Sequence, residues 1–160
     1  ENRSKMGVDR SSAEKGDGHR RRVSGHAAAA ITSATGRVRT MNPNIDGSEF
    51  GSITIAGRRI ENDVMIRLDG AVSKRQKKLS KAIYGTSHII SLAEAEVIFE
   101  QDAERLIVGT GHNGMVGLSD EAADYFAQKK LKVELARTPE AIARWNKATG
   151  KVIALFHVTC

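Results

Sequence analysis

The chain has 160 residues, a formal net charge of +6 and a 40% hydrophobic content in which aromatics are scarce, at 4% of the chain. That length suits a single domain with an aliphatic core, and its one cysteine excludes an intrachain disulfide framework and fits a reducing compartment. No apolar run approaches the ~20 residues of a membrane helix and none near the start resembles a secretory core, so the chain reads as soluble, cytoplasmic and free of the membrane.

The charge is unevenly placed. Residues 1–40 carry nine Lys/Arg against four Asp/Glu, a net of +5, and residues 41–160 carry the remaining +1. The first segment is rich in Ser, Gly, Arg and Ala and poor in large apolar side chains. It cannot bury enough surface to offset its ordering entropy, so residues 1–40 are expected to be a disordered basic tail or a non-native extension. Arg20-Arg21-Arg22 suits nucleic-acid contact or a transit-like leader, but a tail without function is the preferred reading. Met41, directly before the first structured signals, is read as a candidate native start.

From there a single domain over 41–160 is expected. Phe50 to Ala56 reads as a strand, Gly57-Arg58 as a turn and Arg59 to Leu68 as a second strand, together an N-terminal hairpin. Asp69-Gly70 is a turn signal before a short third strand at Ala71 to Ser73, and Lys74 to Thr86 reads as a polar, basic connection. Ser91-Leu92-Ala93-Glu94 is a capping box opening a helix to about Glu100. Arg105 to Val108 is a strand ending in a glycine loop, and Ser119 with Asp120 and Glu121 caps a second helix. Lys132 to Leu135 is a strand. Thr138-Pro139 starts a third helix as N-cap and first helical residue, and Gly150 terminates it. Lys151 to Val158 is apolar on both alternating faces, the pattern of an interior strand covered on both sides. Helix and strand alternate through this half, so the fold class is α/β, a three-layer domain around a mixed sheet.

Five motifs in order carry a family resemblance: Phe50-Gly51-Ser52, Tyr84-Gly85-Thr86-Ser87-His88, Gly109-Thr110-Gly111, Thr138-Pro139-Glu140-Ala141 and Phe156-His157-Val158-Thr159-Cys160. Over residues 45–160 the chain resembles a small single-domain family of archaea, bacteria and mitochondria. Its members include the animal adipogenesis-associated domain protein and a mitochondrial complex I assembly factor. The basic connection is most similar to archaeal members. The resemblance implies a three-layer α/β fold around a mixed sheet and no established reaction, ligand or catalytic set.

Gly109-Thr110-Gly111-His112-Asn113-Gly114 has the G-x-G-x-x-G spacing after a strand, and Glu134 lies beyond it. A dinucleotide fingerprint needs its third glycine to open a helix so that the pyrophosphate meets the helix N-terminus. Here Met115 to Leu118 intervene before the cap at Ser119, so no nucleotide cofactor is expected. A glycine loop at a strand's carboxyl end can still offer backbone amides to an anion, although a tight turn accounts for it as well. Ser87, His88, Gly109, Thr110, Gly111, His112 and His157 form the candidate pocket, provided their loops converge. No carboxylate has an evident partnership with these histidines. His157 and Cys160 lie three apart, so on a continuous strand they point to opposite faces, which disfavours direct pairing unless the chain turns after Val158. One cysteine and scattered histidines also lack the close spacings of zinc sites, and no metal is expected.

Lys74, Arg75, Lys77, Lys78 and Lys81 form a local basic run, a candidate anion-binding loop. It lacks interleaved aromatics apart from Tyr84, which disfavours nucleic acid. Three functions follow in order of preference. The first is a non-catalytic protein-interaction or assembly module with a protein partner. The second is a domain, with or without enzymatic activity, binding a small or anionic molecule through the glycine loop with Ser87, His88 and His112. The third is nucleic-acid binding through residues 74–81.

Overall fold

The computed structural model describes residues 42–160 and the backbone of two short strands, β1 (Ile31–Thr32) and β2 (Val38–Arg39), which pair antiparallel. The remainder of the basic tail, with Arg20-Arg21-Arg22 and Met41, lies outside the described residues. The domain then runs β3 (Ile45–Glu49), β4 (Ser52–Ile55), β5 (Arg58–Ile60), β6 (Val64–Ile66), β7 (Val72–Lys74), α1 (Lys78–Tyr84), β8 (Ile89–Ile90) and α2 (Leu92–Ile98). It continues with β9 (Arg105–Thr110), β10 (Gly117–Leu118), α3 (Asp120–Gln128), β11 (Lys132–Ala136), α4 (Thr138–Lys147) and β12 (Val152–His157).

The main sheet has the order β11-β9-β12-β6-β7. β11, β9 and β12 are mutually parallel, whereas β6 and β7 join antiparallel. All six residues of β12 are buried, as its two-sided apolar pattern requires. One face of the sheet, with Ile66, Ile107, Ala154 and Phe156, packs on Ile45, Ile53 and Ile55 of a small antiparallel sheet (β3-β4-β5) and on Trp145 of α4. The other face, with Met65, Leu106, Val108 and Leu155, packs on Ile98 of α2 and Phe126 of α3. Two covered faces make the three layers. Among the described residues, no helix is long and apolar enough to cross a membrane.

Three local expectations change. The expected strand Arg59 to Leu68 is two strands in different sheets, because Asp63 between them is buried and bonded to the chain just beyond β12. The hairpin turn falls at Ala56-Gly57, both with positive φ, one residue earlier than expected. The basic connection is not irregular throughout: β7 and α1 lie within it.

Gly109 sits where β9 passes closest to α4. A Cβ there would lie 2.7 Å from Cδ1 of Phe156 and 3.3 Å from the Thr138 Cα. Gly109→Ala is expected to destabilise the fold by about 1–3 kcal/mol, the usual effect of overpacking, measured by urea denaturation.

Candidate functional site

The site begins with a charge that has no water around it. Arg75 is fully buried between two carboxylates. Its Nε and Nη2 donate to Glu94, its Nη1 donates to Asp63 Oδ2 at 3.3 Å, and Nη2 also donates to the Ser87 carbonyl at 2.8 Å. Glu94 is itself fully buried and accepts from the Ser80 hydroxyl. Every charge in this group is thus partnered, which is what a dry interior demands. The capping box is only half formed: Ser91 Oγ accepts from the Glu94 amide, but the Ser91 amide donates to Ser80 Oγ rather than to Glu94. Glu94 is spent on Arg75.

Asp63 carries the network to the sheet end. Its Oδ1 accepts from the Val158 amide at 3.0 Å, and its Oδ2 lies 2.8 Å from His157 Nδ1. Burial pushes the Asp63 carboxyl up, but hydrogen bonds from His157 and Val158, with positive charge at His157 and Lys77, outweigh it and hold the group below the usual aspartate range. An ionised Asp63 can only accept, so His157 Nδ1 carries a proton and donates it. When the ring is neutral, Nε2 bears the lone pair and accepts from the Thr159 hydroxyl 3.0 Å away; when it is charged, Nε2 donates to that hydroxyl. The result is a carboxylate–imidazole–hydroxyl chain. Beside it, His88 meets His157 edge-on at 5.7 Å between ring centroids, and His88 Nε2 lies 3.7 Å from Cys160 Sγ.

The glycine loop holds this arrangement in place. The amides of His112, Asn113 and Met115 donate to the carbonyls of Thr159 and Cys160, and Gly114 donates back to Gly111. The Gly111 amide donates to Thr138 Oγ1, whose hydroxyl donates to the His157 carbonyl at 2.6 Å. Thr138 is therefore a tie between loop and strand, not a side-chain helix cap. Gly111 has φ +99, and a Cβ on it would collide with the Cys160 carbonyl group. Only glycine fits.

Of the sequence-derived candidates, the structure brings together His88, Gly111, His112 and His157 around Val158 to Cys160. Thr110 is buried with its hydroxyl on the Ala136 carbonyl, and Gly109 is packed against Phe156. Ser87 contributes its carbonyl to Arg75, and Thr86 Oγ1 accepts from the His88 amide. The His112 ring lies 6.2 Å from Phe50, and its buried Nε2 has no hydrogen-bond partner among the described residues. Four expectations are corrected. The loop amides from Gly111 to Met115 are all engaged within the protein and form no anion cradle. A carboxylate does partner His157. The strand ends at His157, so Cys160 reaches the histidines instead of pointing away. Arg75 leaves the basic run for the interior, and Lys77 is half-buried with Nζ 3.9 Å from Asp63, so of the five only Lys74, Lys78 and Lys81 are exposed. Asp63, Glu94, Thr138 and Thr159 were not among the candidates. An acid directly before Val64-Met65-Ile66 is the one signal that marks Asp63 in the sequence.

Removing one partner of the buried group leaves the others uncompensated. Arg75→Met is expected to destabilise the protein by about 3–5 kcal/mol, whereas Arg59→Met, at an exposed pair with Glu49, should change stability by about 0–1 kcal/mol; urea denaturation distinguishes the two. Because the folded carboxyl of Asp63 is held below its ordinary value, its contribution is complete above the usual aspartate pKa and lost as pH falls through the lowered one. The stability difference between wild type and Asp63→Asn should be level from neutrality to about pH 5 and shrink below about pH 4, measured by denaturation across a pH series.

Comparison with known proteins finds relatives of the chain. The chain is 31% identical to the conserved hypothetical protein PH1505 from Pyrococcus horikoshii OT3, with 73% of this chain and 99% of that one covered and a TM-score of 0.67. It is 33% identical to the solved protein MT938, covering 74% of this chain and 100% of that one, with a TM-score of 0.62. Xanthomonas campestris XCC1710 shares the fold at 10% identity, with 74% and 86% covered and a TM-score of 0.58. No curated protein matches the chain significantly. One family pattern spans residues 45–157 and so takes in Asp63, Arg75, His88, Glu94 and His157: the chain belongs to the DUF498/DUF598 family, described as proteins of unknown function.

Proposed function

We propose that the chain is a small-molecule-binding domain with acid–base chemistry, working at the carboxyl ends of β9 and β12. The observation that carries this reading is the chain Asp63–His157–Thr159, with 2.8 Å at Nδ1 and 3.0 Å at Nε2. An imidazole oriented by a carboxylate on one nitrogen and facing a hydroxyl on the other is a base ready to take a proton. Asp63 is the positioning residue. His157 exchanges the proton, and Thr159, His88 and Cys160 are the groups that meet the ligand. The carboxyl ends of parallel strands are also where open α/β sheets bind ligands. With the loop amides engaged, polar side chains rather than backbone supply recognition.

A panel of nucleoside phosphates, sugar phosphates and small carboxylates, each at millimolar concentration, tests this by thermal shift. One class should raise the Tm by several degrees, since binding at a hundred times Kd adds about 2.7 kcal/mol. That shift should vanish in Thr159→Ala and His157→Gln, each read against its own ligand-free Tm. No shift with any class, or a shift that survives both substitutions, overturns the reading.

A second reading is favoured by a separate observation. Ile83 on α1 is 60% exposed, Phe50 67% and Met115 55%, and such apolar groups suit a protein partner. An interaction or assembly role also agrees with the resemblance to a family that includes a mitochondrial assembly factor. It predicts a partner whose binding is lost in Ile83→Asp and kept in His157→Gln; binding indifferent to Ile83→Asp removes it.

A further inference from the structure

We infer that His88, His157 and Cys160 form a binding site for a divalent transition-metal ion of the zinc class, with one coordination position left for an exogenous ligand. This rests on the reading above that the His157 cluster is the working site, and it names the cofactor class; with the ion bound, His157 Nε2 is a ligand and no longer the proton acceptor. A ring nitrogen of each histidine and the Cys160 sulfur lie within 4.8 Å of one another. Zinc bonds of about 2.0–2.1 Å to nitrogen and about 2.3 Å to sulfur in a tetrahedron put nitrogen and sulfur about 3.6 Å apart. The Cys160 Sγ–His88 Nε2 separation is 3.7 Å. That pair already has the edge length of a zinc site.

The surroundings agree. Metal-bound histidines characteristically donate their other ring N–H to a carboxylate, which fixes the tautomer and raises the basicity of the ligating nitrogen. His157 does this through Nδ1 to Asp63, and Asp63 is in turn held by the Val158 amide and Arg75. Nε2 is left as the ligating atom. A cation there takes the lone pair that otherwise accepts from Thr159, freeing that hydroxyl to bond to whatever fills the fourth position. The Asp63 carboxylate, which also meets Arg75 and Lys77, stands directly behind the His157 ring on its Nδ1 side. Soft sulfur and imidazole donors select zinc, cobalt or copper over magnesium or calcium. His88 and Cys160 are only partly buried, so an ion can enter. Three protein ligands and one open position is the pattern of catalytic rather than structural zinc.

The full chain, stripped with EDTA and kept reduced, is titrated with Co2+ and followed by absorption. The expected result is one equivalent giving a thiolate-to-cobalt charge-transfer band and the visible bands of a tetrahedral ion, both displaced by one equivalent of Zn2+. Cys160→Ser should abolish the charge-transfer band, and His88→Ala should weaken Zn2+ binding at least about 10-fold in competition with a chelating dye. Asp63→Asn should weaken it by about 10- to 100-fold, while Thr159→Ala should still bind. Each variant's thermal unfolding shows whether it is folded. Octahedral cobalt bands only, or zinc affinity unchanged in Cys160→Ser, overturns the metal site and assigns the binding to other histidines. Absence of metal binding alongside an intact small-molecule thermal shift removes this inference alone; absence of both removes the ligand site as well.

Discussion

Arg75 is the residue on which the rest of the site leans. A guanidinium with no exposed surface must have its charge and donors met inside the protein, and here two carboxylates and a carbonyl meet them. Those partners come from distant parts of the chain: Asp63 before β6, Ser87 after α1, and Glu94 on α2. Satisfying one side chain therefore fixes the relative positions of β6, β7, α2 and the segment that delivers His88. Such a buried group need not add net stability over an apolar replacement. Its effect is to specify one arrangement, since any other leaves a charge unpaired in a dry environment.

A second constraint acts from the opposite side of the site. Beyond β12 the Val158 carbonyl is met by the Gly51 amide, and those of Thr159 and Cys160 by amides of the glycine loop following β9. Gly111 permits that loop to press against the Cys160 main chain, and Thr138 ties both to the sheet. The glycine spacing that suggests a phosphate loop thus has a structural purpose. It turns the chain so that Thr159 and Cys160 come back toward the histidines.

Between these supports lies a group of side chains that is unusual for a core. A carboxylate, two imidazoles, a hydroxyl and a thiol meet where parallel strands end. The Asp63 carboxylate on Nδ1 fixes the His157 ring, and the two imidazoles and the thiol together are donors that suit a soft metal cation.

Much of the architecture was legible in the residues themselves. The two-sided apolar run of β12, the Ser91 and Ser119 caps and the alternation of helices with strands follow from side-chain period and local hydrogen bonding, which depend on near neighbours. So does the α/β class. What the chain alone could not reveal are the relations between residues far apart in sequence. Helix α1 buries only Ser80, which makes it read as a basic loop, and its docking depends on Glu94 and Ser91. Arg75 looked like one lysine-like charge among five until burial separated it. Asp63 and His157 are 94 positions apart, and nothing local pairs them. Composition and periodicity determined the layers, because burial of apolar surface is an average over many residues. Only the tertiary structure decided the site, because a charge-assisted hydrogen bond depends on a few tenths of an ångström between two particular atoms.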